Sequence, residues 1–245
     1  MSAVAQLPAL SDKIARLYTT LATIGTEHAP AALSSSLAVE DMVITDAILR
    51  NGHSIDIFTL DTGRLHTQTL DVLARVRSRY GYEIQVYTPD PEAVTRYVDQ
   101  FGVDALYDSV ELRQRCCHIR KVEPLARALA GKSAWVTGMR RAQSVTRREL
   151  PEREYDGQYR LWKFNPLAGW SEAEVWQYIR QLDVPYNPLQ DQGYRSIGCA
   201  PCTRATAAGE DLRAGRWWWE DPENKECGLH KRPAVAPLSP QRKAS

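Results

Sequence analysis

Short apolar runs alternate with longer amphipathic segments over the first half of the chain, and this alternation limits the folds open to it. Apolar runs typical of strands occur at four places, 31–33, 54–60, 83–87 and 133–137. Helical spacing is found at 40–49, 65–79, 91–101 and 110–130, the last broken near Pro124. Strands alternating with helices in this way predict βαβ units, so we expect an α/β fold with a mainly parallel sheet.

Polar loops follow the first two predicted strands. The first contains Ser34, Ser35 and Ser36, and the second consists of Leu60, Asp61, Thr62 and Gly63. Ligands of parallel sheets bind at the carboxyl ends of the strands, so we expect the two loops side by side on a binding edge. A hydroxyl-rich loop before a helix indicates an anion site, with a plain capped turn as the alternative. It lacks the Gly-Lys-Ser ending of a Walker motif.

The remaining chain is less regular. An amphipathic helix is predicted over 11–24, a strand over 154–164 and a helix over 171–182. Glycine, proline and turn residues dominate from Val184 onward, which predicts an irregular C-terminal segment. The length of 245 residues allows one large or two small domains. We expect a single domain over 1–230 and a flexible tail over 231–245.

The cellular compartment follows from what the sequence does not contain. The N-terminus has no basic stretch followed by an apolar core, and no apolar run approaches the length of a membrane span. We therefore expect a cytoplasmic protein. Paired cysteines in that compartment are more often metal ligands or redox groups than structural disulfides.

Four of the five cysteines form two pairs. Cys116 and Cys117 are adjacent, whereas Cys199 and Cys202 are separated by two residues. Zinc commonly binds two Cys-x-x-Cys knuckles, but adjacent side chains on one helix point about 100° apart and suit different irons of a larger cluster. The spacing favours an iron–sulfur cluster, with a zinc site or two unrelated buried pairs as alternatives.

The fifth cysteine, Cys227, stands apart from the pairs. It lies in a polar, glycine-containing segment with Lys225 and His230 nearby. Positive neighbours favour the reactive thiolate, and Glu226 opposes them. The residues alone support a reactive thiol and an inert buried one equally.

A basic stretch surrounds the first cysteine pair. From 112 to 148 the chain has ten Lys or Arg and one acid, Glu123, within a net charge of +1. This excess indicates an anionic partner, with a solvated basic face as the alternative. Lys121 lies four residues after Cys117 and hence near it on a helix. Arginines follow the fourth strand, and their forked guanidinium groups suit phosphate and sulfate oxygens.

Four strings of the sequence occur in one order: Cys116 to Leu125, Ile197 to Arg204, Gly215 to Glu220 and Lys225 to His230. Together they resemble the assimilatory adenylyl-sulfate (APS) reductases, which are close kin of the phosphoadenylyl-sulfate (PAPS) reductases. The resemblance covers roughly residues 30–230.

The resemblance implies a fold and a mechanism. The fold would be adenine-nucleotide α-hydrolase-like, related to ATP pyrophosphatases, with a C-terminal catalytic segment at about 203–230. Cys227 would attack the sulfur of APS and expel AMP, which leaves an S-sulfocysteine, and reduced thioredoxin would then release sulfite. One [4Fe-4S] cluster would be held by Cys116, Cys117, Cys199 and Cys202.

The resemblance also assigns substrate contacts. Lys121 would lie between the cluster and the phosphosulfate, which Arg213 and Arg216 would contact, and Arg147 would lie in the substrate pocket. The adenosine and its phosphate would be cradled by Ser34, Ser35, Ser36, Leu60, Asp61, Thr62 and Gly63. The chain departs from the family pattern in two loops. The serine loop at 34–36 has no glycine after its serines, and the loop at 143–147 is one residue shorter than in the family pattern.

Other functions compete with APS reduction. A PAPS reductase would use the same mechanism, but typical members lack the four cluster cysteines. An adenylating sulfur-transfer enzyme of the ATP-pyrophosphatase type would want a Ser-Gly-Gly-x-Asp-Ser loop, which 34–41 does not supply. A zinc-stabilised nucleic-acid-binding module would leave Cys227 without a role. We expect adenylyl sulfate and reduced thioredoxin as partners, with neither nucleic acid nor membrane, and allow a homo-oligomer.

Overall fold

A six-stranded sheet forms the centre of the protein, whose computed structural model describes residues 7–144 and 147–221. Its strands are β1 (Ala31–Ser34), β2 (Ile55–Leu60), β3 (Gln85–Tyr87), β4 (Ala134–Val136), β5 (Arg153–Asp156) and β6 (Leu161–Phe164). The order is β3-β2-β1-β4-β6-β5. The β5–β6 pair is antiparallel, and the other four pairs are parallel. The predicted mainly parallel α/β fold is confirmed.

The helices are α1 (Leu7–Glu27), α2 (Val39–Asn51), α3 (Thr67–Tyr80), α4 (Pro91–Phe101), α5 (Val110–Cys117), α6 (Glu123–Leu129) and α7 (Glu172–Gln181). Side-chain caps begin three of these helices, because Asp90, Ser109 and Ser171 each accept a backbone hydrogen bond at the start of α4, α5 and α7. At α7 the Glu174 side chain completes a capping box with Ser171.

Alternating strand residues divide the core between the two faces of the sheet. Leu33, Ile57 and Val136 pack in one cluster with residues of α1, α2, α3 and α7. Their chain neighbours point the other way, and Phe58 and Trp135 pack with α6. This division follows from the two-residue repeat of a strand, and it covers the sheet with helices on both sides.

The register brings the carboxyl ends of the central strands together. Leu33 of β1 lies opposite Ile57 of β2 on one side and Val136 of β4 on the other. After β1 the chain builds β2 and β3 on one side and then crosses to β4 on the opposite side. The crevice at the β1–β4 switch point is where such sheets bind ligands.

The predicted helix over 110–130 is divided into α5, a π turn over His118–Val122, and α6. The N–H of Glu123 donates to the carbonyl of His118, five residues back. Pro124 has no N–H, and its ring would press on the carbonyl four residues earlier in a regular helix, so the wider turn relieves this conflict. The π turn carries Lys121 and directly follows the first cysteine pair.

The single strand predicted over 154–164 was wrong. The chain forms two antiparallel strands, β5 and β6, joined by a turn after Asp156. The Asp156 carboxylate accepts the backbone N–H groups of Gln158 and Tyr159 at 2.9 and 3.0 Å. Asp156 followed by Gly157 is itself a hairpin signal, which the apolar run obscured.

From Val184 to Asp221 the chain forms short 3₁₀ turns and loops, and the expected irregular segment is confirmed over this range. Cys227 and the tail expected over 231–245 lie outside the described residues, so the 1–230 domain boundary stays a prediction. No helix in the described ranges has the length and apolar character needed to cross a membrane.

Candidate active site

A cavity of about 210 Å³ opens at the switch point between β1 and β4. Of the site residues expected from the sequence, nine line it: Ser34, Ser35, Ser36, Leu60, Thr62, Lys121, Arg147, Arg213 and Arg216. They come from five separate stretches of the chain. The structure therefore brings the serine loop, the second polar loop and four of the expected cations to one place.

The serine loop is held in a tight turn by Asp41. The backbone N–H and the hydroxyl of Ser36 both donate to Asp41 Oδ2, at 2.7 and 2.5 Å. Leu37 has a positive φ of 61°, and its N–H donates to the Ser35 hydroxyl at 3.2 Å. The loop leads directly into α2, whose N-terminal end faces the cavity and suits an anion.

Asp41 was not among the residues selected from the sequence. Burial raises the pKa of its carboxyl from 3.8 to about 6, although the hydrogen bonds from Ser36 oppose this. Gly138 passes so close that an added Cβ would lie 2.2 Å from Asp41 Oδ1. Two acids at the start of a helix, Glu40 and Asp41, were the available signal, but they are equally typical of a plain helix start.

The second polar loop contributes in two ways. Leu60 and Thr62 line the cavity, whereas Asp61 and Gly63 do not and instead shape the turn. The Asp61 carboxylate accepts the N–H of Gly63 at 2.9 Å. Gly63 has a φ of 68°, a conformation that glycine adopts without strain. Direct substrate contact thus stays a prediction for Leu60 and Thr62, while Asp61 and Gly63 shape the turn that carries them.

Cations form one wall of the cavity. Lys121, Arg147, Arg213 and Arg216 are joined there by Arg195, which the sequence did not single out. Arg216 Nη1 donates to the carbonyl of Ile197 at 3.3 Å, and its Nε has no hydrogen-bond partner among the described residues. A buried guanidinium N–H without a hydrogen-bond acceptor is suited to donate to an anionic ligand.

Arg147 is oriented by Gln143. The Gln143 Oε1 atom accepts Nη1 of Arg147 at 2.5 Å and the backbone N–H of Arg140 at 3.1 Å. The Arg140 side chain turns away to Glu40, whose Oε1 it contacts at 2.7 Å in a buried ion pair. Arg141 donates to the carbonyl of Leu150 at 2.8 Å. Of these three loop arginines, only Arg147 lines the cavity.

The four paired cysteines are all buried and none forms a disulfide. Cys116 and Cys117 end α5, and the other pair lies on a 3₁₀ turn, Ala200–Cys202, and the residue before it. The charges of Cys199 and Cys116 both affect the pKa of Cys202, so thiols from the two pairs are close together. The structure thus unites pairs that lie more than 80 residues apart in the sequence.

Hydrogen-bond donors and cations surround these thiols. The hydroxyl of Thr62 lies 3.2 Å from Cys199 Sγ. Burial raises the pKa of Cys202 to about 11, while Lys121 and Arg216 oppose that change. The indole N–H of Trp217, which packs with Cys199 and Cys202, has no hydrogen-bond partner in the described part of the chain. Buried donors and cations around thiols fit a centre held by thiolates.

The described residues form no ready site for a metal ion. Within 7–144 and 147–221, no three His, Cys, Asp or Glu side chains are grouped so that they could hold one ion. A structural zinc site requires four ligands at about 2.0–2.3 Å from one centre. The zinc site and the iron–sulfur cluster therefore both stay predictions, and the donors around the thiols fit a centre held by thiolates.

The fold and the cavity define a class: an α/β protein with a cation-lined cavity at the switch point of a parallel sheet, next to a buried cysteine centre. The family model of the phosphoadenosine phosphosulfate reductase domain matches residues 30–205. The chain belongs to this family.

Relatives and solved structures agree with this assignment. The chain is 58% identical to the adenosine 5'-phosphosulfate reductase of Burkholderia cepacia, over 94% of this chain and 92% of that protein. It is 61% identical to the enzyme of that name from Allochromatium vinosum, over 84% and 80% of the two chains. The crystal structure of PAPS reductase from Candida auris is similar, with a TM-score of 0.64 and 29% identity over 77% of this chain and 89% of that one.

A more distant likeness concerns the fold alone. The FMN adenylyltransferase of Candida glabrata, solved with FMN and an ATP analogue, has a TM-score of 0.57 at 14% identity, over 92% of this chain and 78% of that chain. The expected adenine-nucleotide α-hydrolase-like fold is confirmed by these neighbours.

Proposed function

We propose that the protein reduces adenylyl sulfate to sulfite and AMP with electrons from reduced thioredoxin. The observation that carries this proposal is the cationic wall of the cavity, where Lys121, Arg147, Arg213 and Arg216 meet beside the buried cysteines. A phosphosulfate carries several anionic oxygens and requires such a wall. The names of the relatives, at 58 and 61% identity, support the same substrate.

The first step is a substitution at sulfur. The thiolate of Cys227, which lies outside the described residues, forms a bond to the sulfur of the substrate's sulfonate. The bond from that sulfur to the bridging phosphate oxygen breaks, and AMP leaves with the electron pair. Cys227 then carries the sulfonate as an S-sulfocysteine. Phosphate is a good leaving group, so this step requires no strong acid.

The second step returns the enzyme to its starting state. One thiolate of reduced thioredoxin attacks the sulfur of Cys227, and sulfite leaves with the electrons of the bond between the two sulfurs. The second thioredoxin thiol then attacks the mixed disulfide. This releases Cys227 as a thiol and leaves thioredoxin oxidised by two electrons.

The cations make the first step feasible. A thiolate that approaches a sulfur surrounded by anionic oxygens is repelled unless positive charges offset those oxygens. Lys121 and Arg216 line the cavity and also lower the pKa of the Cys202 thiol, which supports a position for them between the substrate and the cysteines. The serine loop, which also lines the cavity, would hold the nucleotide.

The cysteine centre is proposed to be a [4Fe-4S] cluster held by Cys116, Cys117, Cys199 and Cys202. When bound, such a cluster would contribute electrostatics and positioning beside the substrate rather than the reducing electrons. Iron and acid-labile sulfide content, together with visible absorbance, tests this assignment. A colourless, zinc-loaded native protein would refute it.

PAPS is the second candidate substrate, since the Candida auris structure is a PAPS reductase. The Candida auris enzyme is 29% identical to this chain, whereas the adenosine 5'-phosphosulfate reductase of Burkholderia cepacia is 58% identical to it. Sulfite release with reduced thioredoxin, measured on APS and on PAPS, decides between them. We expect faster turnover of APS, and faster turnover of PAPS would overturn this choice.

Lys121 offers a direct test of the cationic wall. Lys121→Ala should lower kcat/KM by about 100-fold with the fold intact, because the variant loses a cation beside the negative charge that develops on the leaving phosphate oxygen. Lys132→Ala is the matched control, since Lys132 pairs with Asp56 outside the cavity. An unchanged kcat/KM for Lys121→Ala would show that this lysine does not act in the site.

Cytoplasmic location, absence of nucleic-acid binding and a homo-oligomer stay predictions.

A further inference from the structure

Exposed apolar side chains are concentrated beside the cysteine centre. In the part of the chain that the structure describes, five large hydrophobic side chains are exposed, and three of them are Val103, Tyr107 and Trp218, at 52, 42 and 40%. Monomer surfaces normally scatter such side chains singly, so a group of them indicates a binding surface. We call these three residues the aromatic surface.

Aromatic packing fixes this surface in place. The rings of Tyr107 and Trp219 lie 4.5 Å apart, and those of Trp218 and Trp219 lie 4.8 Å apart, each pair edge to face. The Tyr107 hydroxyl donates to the carbonyl of Pro201 at 2.7 Å. Pro201 lies between Cys199 and Cys202, so the aromatic surface is built directly on the cysteine loop.

The border of the aromatic surface is electrically balanced. Arg64 donates to the carbonyl of Val103 and to the carboxylate of Asp104, both at 2.7 Å. The Arg64 guanidinium holds the Val103 backbone, and the Asp104 carboxylate balances its charge. An apolar surface with a paired charge at its edge favours an apolar partner over a strongly charged one.

Chain length ties the aromatic surface to Cys227. Cys227 is the sixth residue after Asp221, and an extended chain of that length spans at most about 22 Å. Trp218 precedes Asp221 by three residues. A protein that delivers its dithiol to Cys227 must therefore dock near the exit point of this segment, and the aromatic surface lies there.

We propose that the aromatic surface is where the reduced dithiol protein docks to attack the Cys227 adduct. This inference rests on the proposed function and adds the place of the partner. The partner is expected to present an apolar rim around its reactive dithiol, complementary to Trp218 and Val103. Transient redox interfaces are small, and a few aromatic anchors carry most of their energy.

The two half-reactions separate docking from chemistry. Trp218→Ser and Val103→Ser are suitable variants, because neither side chain lines the cavity. Tyr107 is left unchanged because its hydroxyl holds Pro201. Each variant is incubated with APS alone to measure the Cys227 adduct. Sulfite release is then measured with dithiothreitol and with increasing reduced thioredoxin.

We expect adduct formation and dithiothreitol-driven sulfite release to match the unmodified protein. The KM for thioredoxin should rise about tenfold in Trp218→Ser, with a smaller rise in Val103→Ser and the largest in the double variant. Tyr155→Ser and Val86→Ser are the controls, because these side chains are 55 and 45% exposed on the edge strands β5 and β3. They should leave the KM for thioredoxin unchanged.

Three results would overturn the docking proposal. The first is an unchanged KM for thioredoxin in the double variant. The second is an equal rise in the Tyr155 and Val86 controls. The third is a change in oligomeric state on sizing, which would assign the surface to a second copy of this chain. If Trp218→Ser impairs formation of the Cys227 adduct, the KM for thioredoxin of Val103→Ser alone decides whether the docking proposal holds. Failure of the unmodified protein to form an adduct refutes the proposed function instead.

Discussion

Arg113 holds Glu220 through two parallel hydrogen bonds, 2.8 Å from Nε and 2.7 Å from Nη2. Both side chains are buried, at 0 and 4% exposure. The same guanidinium hydrogen-bonds Cys117 and lies 4.8 Å from the Trp217 ring centroid. One arginine thus joins α5, with its cysteine pair, to the C-terminal segment that lines the cavity.

Breaking this pair should be costly. Arg113→Met should lower the free energy of unfolding by about 3–5 kcal/mol, because the Glu220 carboxylate would be buried without its partner. Arg113→Met with Glu220→Leu removes both charges and should recover much of the loss. Denaturant unfolding measures both values. Arg96→Ala breaks an exposed pair with Glu92 and should cost at most about 0.5 kcal/mol. Equal losses in the single and double variants would contradict this account.

Asp41 should make stability depend on pH. In the unfolded chain its carboxyl ionises near 3.8, whereas in the folded protein burial holds its pKa at about 6. The native state thus binds more protons between these values, and stability falls as pH rises through this window. Relative to Asp41→Asn, the unmodified protein should lose about 3 kcal/mol in total from well below pH 3.8 to well above pH 6.

Ser36→Ala refines that test. It removes one hydrogen bond that favours the ionised Asp41, so the midpoint of the pH-dependent loss should move above about 6. Unfolding free energies measured at closely spaced pH values give this midpoint. A difference between Asp41→Asn and the unmodified protein that stays constant with pH would refute the assignment.

Gly198 leaves space for Arg216. An added Cβ would lie 2.4 Å from Nη2 and 2.5 Å from Cζ of that arginine. Gly198→Ala should displace the guanidinium from the cavity and raise the KM for APS by about tenfold or more. Gly157→Ala is the control, because nothing lies within 4 Å of its added Cβ. A KM unchanged from that of the control would show that Arg216 does not bind substrate where it lies now.

Gln143 should act through Arg147. Gln143→Leu removes the acceptor that orients this guanidinium and should raise the KM for APS more than it lowers kcat. A double-mutant cycle with Arg147→Ala provides the check. The coupling should be about 0.5–3 kcal/mol, because the glutamine has little to orient once the arginine is gone. Additive effects would leave Gln143 with a separate role.

Strands β1 to β4 were predictable because each lies in a short strand-like run followed by turn residues. Ser34 and Leu60 could be placed on one edge for the same reason, since parallel strands align their carboxyl ends. The hairpin after Asp156 was missed because apolar residues on both sides of the turn read as one strand. Local patterning does not reveal where two short strands fold back.

The site was predictable only in part. Lys121 followed from its spacing, and Arg147, Arg213 and Arg216 from the family resemblance. Which arginines line the cavity, as Arg147 does, and which are buried against an acid, as Arg140 is against Glu40, depends on long-range packing. Asp41 and Arg195 were missed because their environment is built by distant segments. The cysteine pairs were an exception, since their spacing favoured one shared centre over two unrelated buried pairs, and the structure brings thiols of the two pairs close together.

The most direct test of the central claim is the trapping of the Cys227 adduct. The protein is incubated with APS in the absence of thioredoxin, and its peptides are then analysed by mass spectrometry. We predict one sulfonate group on Cys227, released as sulfite when reduced thioredoxin is added. Cys227→Ser should bind nucleotide without forming the adduct. A sulfonate on another residue, or sulfite formed at the unmodified rate by Cys227→Ser, would contradict the account.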